Sequence, residues 1–296
     1  MDVIWLPDAE SRPRHVAVGE FDGVHLGHRE VMRGADTVLT FEPHPRAVVA
    51  PERAPKLITS LAAKADLIAG LGVQEMVVIP FDGAFAAQSP QGFVDDVLIR
   101  RLGAEVVSVG ENFRFGHKAR GDVELLRAQD AFETRVVELV QGDGEAISST
   151  HIRALIEAGE IERANACLGS PFQLRGAVAH GDKRGRTLGF PTANLVPDPA
   201  LVYPAHGVYA CRAAVEADGR WEWWSAATNV GVRPTFVTGR GLLVEAFLID
   251  FDGDLYEREL RLEILSRLRG ELRFDSVDEL VEQMHRDVED TRRIGA

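Results

Sequence analysis

The stretch Gly181-Asp182-Lys183-Arg184-Gly185-Arg186-Thr187-Leu188-Gly189-Phe190-Pro191-Thr192-Ala193-Asn194 gathers glycines, basic side chains, a hydroxyl and an amide in one short span. Gly181, Gly185 and Gly189 let the backbone come close to an anion, and Lys183, Arg184 and Arg186 place positive charge beside it. Pro191 stiffens the exit. Thr192 and Asn194 are two residues apart, so in an extended segment both point to the same side. A hydroxyl and an amide oxygen on one side suit a hard cation such as Mg²⁺, which is usually shared with substrate phosphates. No G-x-x-x-x-G-K-[ST] occurs in the chain, so this is not a Walker loop. A glycine-rich hairpin with a solvated basic tip is the plainer reading of the same residues.

A second group of candidates lies near the start. His15-Val16-Ala17-Val18-Gly19 reads as a strand ending at a glycine, Glu20 to Gly23 as a turn, and His25 through Arg33 as a helix. Strand, glycine turn and helix start is an arrangement that binds phosphates on free backbone N–H groups. His25 and His28 are three apart and face one side of the first helical turn. Zinc would need a third ligand, and the chain has neither HExxH nor clustered cysteines. Capping or core packing would also satisfy both rings. Further on, Glu111-Asn112-Phe113-Arg114-Phe115-Gly116 could stack a planar ring and bond its edge, or be a loop anchored by aromatic burial. Ser149 or Thr150 can cap a helix running through Glu157, with Arg153 one turn in. Glu245, read as the start of a strand, is by itself an ordinary solvated carboxylate.

Several of these stretches match known motifs. "GRTLGFPTANL" closely resembles the flavokinase motif of riboflavin kinases, whose Gly-rich loop and Pro-Thr-Ala-Asn segment hold MgATP. "FDGVHLGH" resembles the H-x-G-H motif of nucleotidylyltransferases, and its longer form resembles the FMN adenylyltransferase module of bacterial bifunctional riboflavin kinase/FAD synthetases. "TFEPHPR" is similar to that family's flavin-side loop, and Ser148-Ser149-Thr150-His151-Ile152-Arg153 to its second phosphate-binding motif. "NVGVRPTF", "VEAFLIDF" and "LYE" resemble the kinase module, and "LRGELRF" its flavin-side flap. The resemblance covers nearly the whole chain, with its motifs in order.

The resemblance implies two activities: phosphorylation of riboflavin to FMN in the C-terminal half, and adenylylation of FMN to FAD in the N-terminal half. It makes Glu245 the kinase base and His28 a catalytic group of adenylyl transfer. Gly19, Phe21, His25, His28, Ser149, Thr150 and Arg153 would hold ATP in the first module, and Phe41, Pro43, Pro45, Asn112 and Arg114 the flavin. In the second, Gly181, Lys183, Gly185, Arg186, Gly189, Pro191, Thr192 and Asn194 would hold ATP. Thr192 and Asn194 would hold Mg²⁺ there, and Arg269 would meet the flavin. Three departures stand out. Only Gly34-Ala35-Asp36 separates Arg33 from the second strand, Asn112 stands where many relatives have Asp, and Glu257 replaces the usual Gly after Leu-Tyr.

The elements that must position these groups follow from pattern. At 296 residues two domains are expected, and the breaker run Gly169-Ser170-Pro171 suggests a boundary giving 1–169 and 170–296. Before it, strands at Thr37–Phe41, Glu75–Pro80 and Val106–Gly110 alternate with helices at Ser60–Gly70, Ser89–Gly103 and Ile161–Leu168, which predicts a parallel α/β sheet of Rossmann-like type. After it, strand runs at Leu174–His180, Gly207–Cys211, Trp221–Val230, Val244–Phe251 and Leu260–Leu265 predict a small antiparallel barrel. A closing helix, Ser276–Arg293, carries Val277, Leu280, Val281, Met284 and Val288 on one stripe. Asp250-Phe251-Asp252-Gly253-Asp254 is read as a turn, its spacing being wrong for a calcium loop. Trp221 to Trp224 is read as strand packing.

The net charge of −13 argues against a general nucleic-acid or anionic-membrane surface. Cys167 and Cys211 give no disulfide framework, and no run nears the roughly 18 apolar residues of a membrane span. The N-terminus lacks a basic-then-apolar signal pattern. A cytoplasmic monomer or weak homo-oligomer is expected, with riboflavin, FMN, FAD and ATP as its partners.

Overall fold

The computed structural model describes residues 1–142, 144–179, 188–233 and 241–295. The chain divides into two compact units, Met1–Ser149 and Thr150–Ala296.

In the first unit six strands form one parallel sheet: β1 (Asp2–Trp5), β2 (Arg14–Val18), β3 (Thr37–Glu42), β4 (Glu75–Pro80), β5 (Ala104–Gly110) and β6 (Glu133–Val137), in the order β1-β4-β3-β2-β5-β6. Val16, Val38, Leu39, Val77, Val78 and Val107 are fully buried, because helices cover both faces and leave no alternating polar side. Those helices are α1 (Leu26–Met32), α2 (Pro45–Val49), α3 (Leu61–Ala69), α4 (Gly83–Ala86), α5 (Pro90–Gly92), which runs on as a π-helix over Phe93–Arg101, and α6 (Val123–Arg127). Ser60 caps α3 by accepting from Ala63 N at 3.2 Å, and Ser89 caps α5 by accepting from Gly92 N at 3.0 Å. Gly103 ends that helix at φ +63°; a Cβ there would lie 2.6 Å from Arg12 O. The first helix is short, as the missing residues around Gly34 implied. A small ribbon pairs β7 (Gln141–Gly142) with β8 (Glu145–Ala146).

The second unit begins within α7 (Ser149–Ala158), followed by α8 (Ile161–Leu168). Helix α8 falls with the barrel, ahead of the Gly169-Ser170-Pro171 run. The reason is side-chain stitching to the barrel. Asn165 Nδ2 donates to Ile264 O at 2.9 Å, its Oδ1 accepts from Phe172 N at 2.7 Å, and the Glu162 carboxylate accepts from the Ser266 hydroxyl.

Six antiparallel strands close into a barrel: β9 (Phe172–Ala179), β10 (Ala193–Leu195), β11 (Gly207–Ala217), β12 (Arg220–Arg233), β13 (Gly241–Leu248) and β14 (Glu259–Arg269), ordered β10-β13-β12-β11-β14-β9. Phe172, Leu174, Ala213, Val244, Ala246, Leu260 and Leu262 fill its interior. The closing helix α9 (Val277–Gly295) seats Val281, Met284 and Val288 against Phe190, Phe247 and Ile249. Val277 is 60% exposed, so the first turn of the expected stripe does not pack. Asp250 ends in a turn, its carboxylate gripped by Arg292 at 2.9 and 3.1 Å. Trp221 lies under Arg261, whose guanidinium carbon is 3.6 Å from the ring centre.

Candidate functional site

In the first unit β2 is the switch point of the sheet: the chain passes from it to β3 and β4 on one side, then returns to β5 on the other. Ligands of such sheets bind outside the carboxyl ends of the strands at that point. Gly19 ends β2, and a Cβ there would sit 2.9 Å from the Phe21 ring, so only glycine lets the ring fold back over the strand end. Phe21 is buried and holds φ +51°. The turn is pinned by Asp22, which is 2% exposed. Its carboxylate accepts from Ile58 N at 2.9 and 3.1 Å, Thr59 N at 3.0 Å and the Thr59 hydroxyl at 3.3 Å.

The two histidines come together at the start of α1. His25 caps the helix, its Nδ1 accepting from His28 N at 3.3 Å, which places its remaining proton on Nε2. The rings stack with centroids 3.5 Å apart at 19°. His28 Nδ1 is enclosed without a hydrogen-bond partner. Burial drives His28 well below the ordinary histidine range, and the neighbouring His25 and Lys64 push the same way. His28 is thereby held neutral against the ring of His25. Capping and phosphate binding, alternatives in the sequence, are compatible in this geometry.

Ser149 is the first residue of α7, and its hydroxyl donates to Asp22 O at 2.9 Å. Ser149, which lies in the first unit, is thereby tied to the turn of the first motif. Thr150, exposed, and Arg153, half-buried, follow on α7 in the second unit.

The flavin-side candidates sit at the ends of β3 and β5. Phe41 packs edge-on against Phe81 at 5.8 Å, and the aromatic series continues through Phe85 and Phe93 to Phe115. Pro43 follows a cis peptide and Pro45 opens α2. Phe113 and Phe115 stack at 5.4 Å, so much of the aromatic content of that loop is packing. Asn112 is exposed, and Arg114, also exposed, pairs with Asp122 at 3.1 Å. A groove of about 490 Å³ is lined by Pro80, Phe85, Gln88 and Val97 and by none of these candidates.

Sequence reasoning missed a polar cluster beneath the turn. Lys64 is 7% exposed; its Nζ donates to Glu20 O at 2.7 Å and to Thr40 Oγ1 at 3.4 Å. The Glu20 carboxylate meets His44 Nε2 at 2.8 Å. Burial pushes Glu20 up, but the His44 hydrogen bond and the charges of His44, Lys64 and Arg46 outweigh it and hold it low. A lysine on the apolar stripe of α3, between Leu61 and Ile68, was the available signal.

In the second unit the strand register builds the site. Val244, Ala246 and Leu248 point into the barrel, leaving Glu245 and Phe247 on the outer face. Glu245 lies mid-strand, not at its start, since β13 begins at Gly241. It stands directly opposite Asn194 of β10 on one side and Asn229 of β12 on the other. Such pairs hold their Cβ atoms about 4.5–5.5 Å apart. A carboxylate is thus flanked by two amides, of which Asn229 was not foreseen although its motif had been noticed. Ala193 and Leu195 are buried while Thr192 and Asn194 are half-buried, so the latter two share the outer face with Glu245.

The same row passes through Val208 to Arg269 on β14. Arg269 is held by Asp287 of α9, with contacts of 2.7, 3.0 and 3.2 Å, and also donates to Gly270 O at 3.1 Å. Most of its guanidinium is therefore committed within the protein. Pro191 and Gly189, the latter at φ +87°, lead into β10. Gly181, Lys183, Gly185 and Arg186 lie outside the described residues, as do Pro234, Thr235 and Phe236. Among the described residues no group of three or more His, Cys, Asp or Glu gathers to hold a metal.

Comparison with known proteins finds a separate family for each half of the chain. A family model described as FAD synthetase matches residues 8–151, and one described as riboflavin kinase matches residues 168–295. The "Bifunctional riboflavin kinase/FMN adenylyltransferase" of Listeria monocytogenes is 38% identical over 94% of this chain and 91% of its own. Its namesake from Bacillus subtilis is 36% identical over the same shares, and that from Escherichia coli K12 is 37% identical over 92% and 90%. A crystal structure described as "Macrolide-efflux Protein from Streptococcus pneumoniae" superposes with a TM-score of 0.88 at 32% identity, covering 99% of both chains. That name points elsewhere, but among the described residues no helix is long and apolar enough to cross a membrane. On the strength of relatives at more than a third identity over nine-tenths of their length, the chain belongs to the bifunctional riboflavin kinase/FMN adenylyltransferase family.

Proposed function

We propose that this chain makes FAD in two ATP-dependent steps, riboflavin to FMN on the barrel and FMN to FAD in the α/β unit. The observation that carries the reading is Glu245, set in register between Asn194 and Asn229 on the outer face of the barrel. In the first step Glu245 takes the proton from the riboflavin 5′-hydroxyl as that oxygen bonds to the γ-phosphorus of ATP and ADP leaves. Asn194 and Asn229 flank the carboxylate. Thr192, Asn194 and Glu245 offer hydroxyl, amide and carboxylate oxygens on one face, a donor set that suits Mg²⁺. When bound there, Mg²⁺ would neutralise phosphate charge.

In the second step the nucleophile is the FMN phosphate, already ionised at neutral pH, so no general base is required. Its oxygen bonds to the α-phosphorus of ATP and pyrophosphate leaves. The work falls to positioning and charge stabilisation. His25 and His28, with Ser149, Thr150 and Arg153, are the groups we assign to it. Phe41, Pro43, Pro45, Asn112 and Arg114 are assigned to the flavin side, and a cytoplasmic enzyme is the fitting setting.

The experiment is chromatography of purified protein with riboflavin, ATP and Mg²⁺ over time. FMN should form and then convert to FAD. Glu245→Gln should lose FMN formation and keep FAD formation from supplied FMN, and His28→Ala should do the converse. Equal loss of both activities in either variant would overturn the two-site reading.

A further inference from the structure

We propose that Lys64 is a positioning residue for adenylyl transfer, a buried cation that holds the turn bearing His25 and His28 at the carboxyl ends of β2 and β3. This inference rests on the adenylyl-transfer reading of the first unit and adds a residue that no motif assigns. Lys64 sits on the apolar stripe of α3, where an aliphatic side chain would pack without desolvating a charge. Its Nζ meets the Glu20 carbonyl at 2.7 Å and the Thr40 hydroxyl at 3.4 Å; the Thr40 hydroxyl donates to the same carbonyl at 3.1 Å. The ends of two parallel strands and the first peptide of the turn are joined through one ammonium.

Neither of those contacts neutralises it. The charged and titratable groups around the ammonium are Asp22 and Glu20 of the turn, Glu42 at the end of β3 with His44 and Arg46 beyond it, and His25 and His28 of α1. Asp22 is committed to Ile58 and Thr59, and Glu20 to His44. The carboxylates of Asp22, Glu42 and Glu20 together offset the ammonium, so its part is to hold the turn in place rather than to charge the crevice. Burial holds His28 neutral, and the charge of Lys64 pushes the same way, against a second cation on the stacked imidazoles.

The test uses full-length Lys64→Met and Lys64→Arg. FAD formation from FMN and ATP is followed against pH, with riboflavin phosphorylation in the same preparations as the internal control. The His28 ring is titrated by NMR without substrates. For Lys64→Met, kcat for FAD formation should fall at least about tenfold, as a small misplacement of the groups that orient the reactants does. The His28 titration and the acid limb of the rate profile should both move up. FMN formation should stay unchanged, and Lys64→Arg should keep the His28 titration near that of the wild type. Wild-type kcat and pH profile in Lys64→Met would overturn the inference. So would loss of FAD formation with an unmoved His28 titration, since that marks a purely structural lysine. A wild-type protein making FMN but no FAD would sink the adenylyl-transfer reading itself, whatever His28 does.

Discussion

Replacing Glu257 by glycine should stabilise the barrel. Glu257 holds φ +62°, the left-handed region, in the turn before β14. Its side chain is exposed, and its N–H donates to Val178 O at 2.9 Å, a bond that glycine retains. Left-handed backbone costs an L-residue about 1–2 kcal/mol, while glycine returns roughly 0.5–1 kcal/mol through the entropy of the unfolded chain. The net gain is about 0.5–1 kcal/mol, worth roughly 1–4 °C in the melting midpoint of a unit this size. Calorimetry of the full chain should show the barrel transition rise by that amount and the other transition stay in place. Glu257→Ala is the control, because it removes the same charge and keeps the strain. An unchanged or lower midpoint for Glu257→Gly, or an equal rise for Glu257→Ala, would refute the argument.

Asp22→Asn should destabilise the first unit by about 1–3 kcal/mol in urea unfolding, because an amide N–H₂ would face backbone donors that now share a buried carboxylate. Asp287→Ala should cost the barrel about 3–5 kcal/mol by leaving Arg269 without its counter-charge, read from the same unfolding curves. His28 and His15 are both lowered by burial, so the unfolded chain binds their protons more tightly than the folded one. Stability of the first unit should thus be full above about pH 6.5 and fall as pH drops below it, measured by denaturation at several pH values. Burial pushes the Cys211 thiol up to about 12, so iodoacetamide at pH 8 should leave Cys211 unmodified until denaturant is added, as mass spectrometry will report.

Much of this was legible in the sequence because periodicity and local chemistry agreed. Glu75–Pro80 and Ile161–Leu168 form as read, since an unbroken apolar run and a Gly169 in the left-handed region leave little choice. The α/β sheet and the antiparallel barrel follow from the same signals. What was hidden depends on long-range pairing. The flanking of Glu245 by Asn229 is a matter of barrel register, which no local pattern encodes. Lys64 and Asp287 occupy core-facing positions where an apolar reading expects hydrophobes, and their partners lie on distant elements. The edge strand β1, only four residues long and largely exposed, carries no burial pattern to read.

A closed barrel opens where it is most thinly sewn. β11 and β12 are paired along eleven positions, whereas β10 contributes three residues, matched three times to β13 and twice to β9. Thr192 and Asn194 border and belong to that short strand, so a nucleotide or cation held by them would bridge the seam with the fewest pairings among the described residues. Amide hydrogens of β10 are then the ones that exchange first in the empty barrel, and ligand slows them before it slows any others. A ligand that bound only the closed wall would stabilise it by mass action, and the barrel's integrity would then rise with nucleotide concentration.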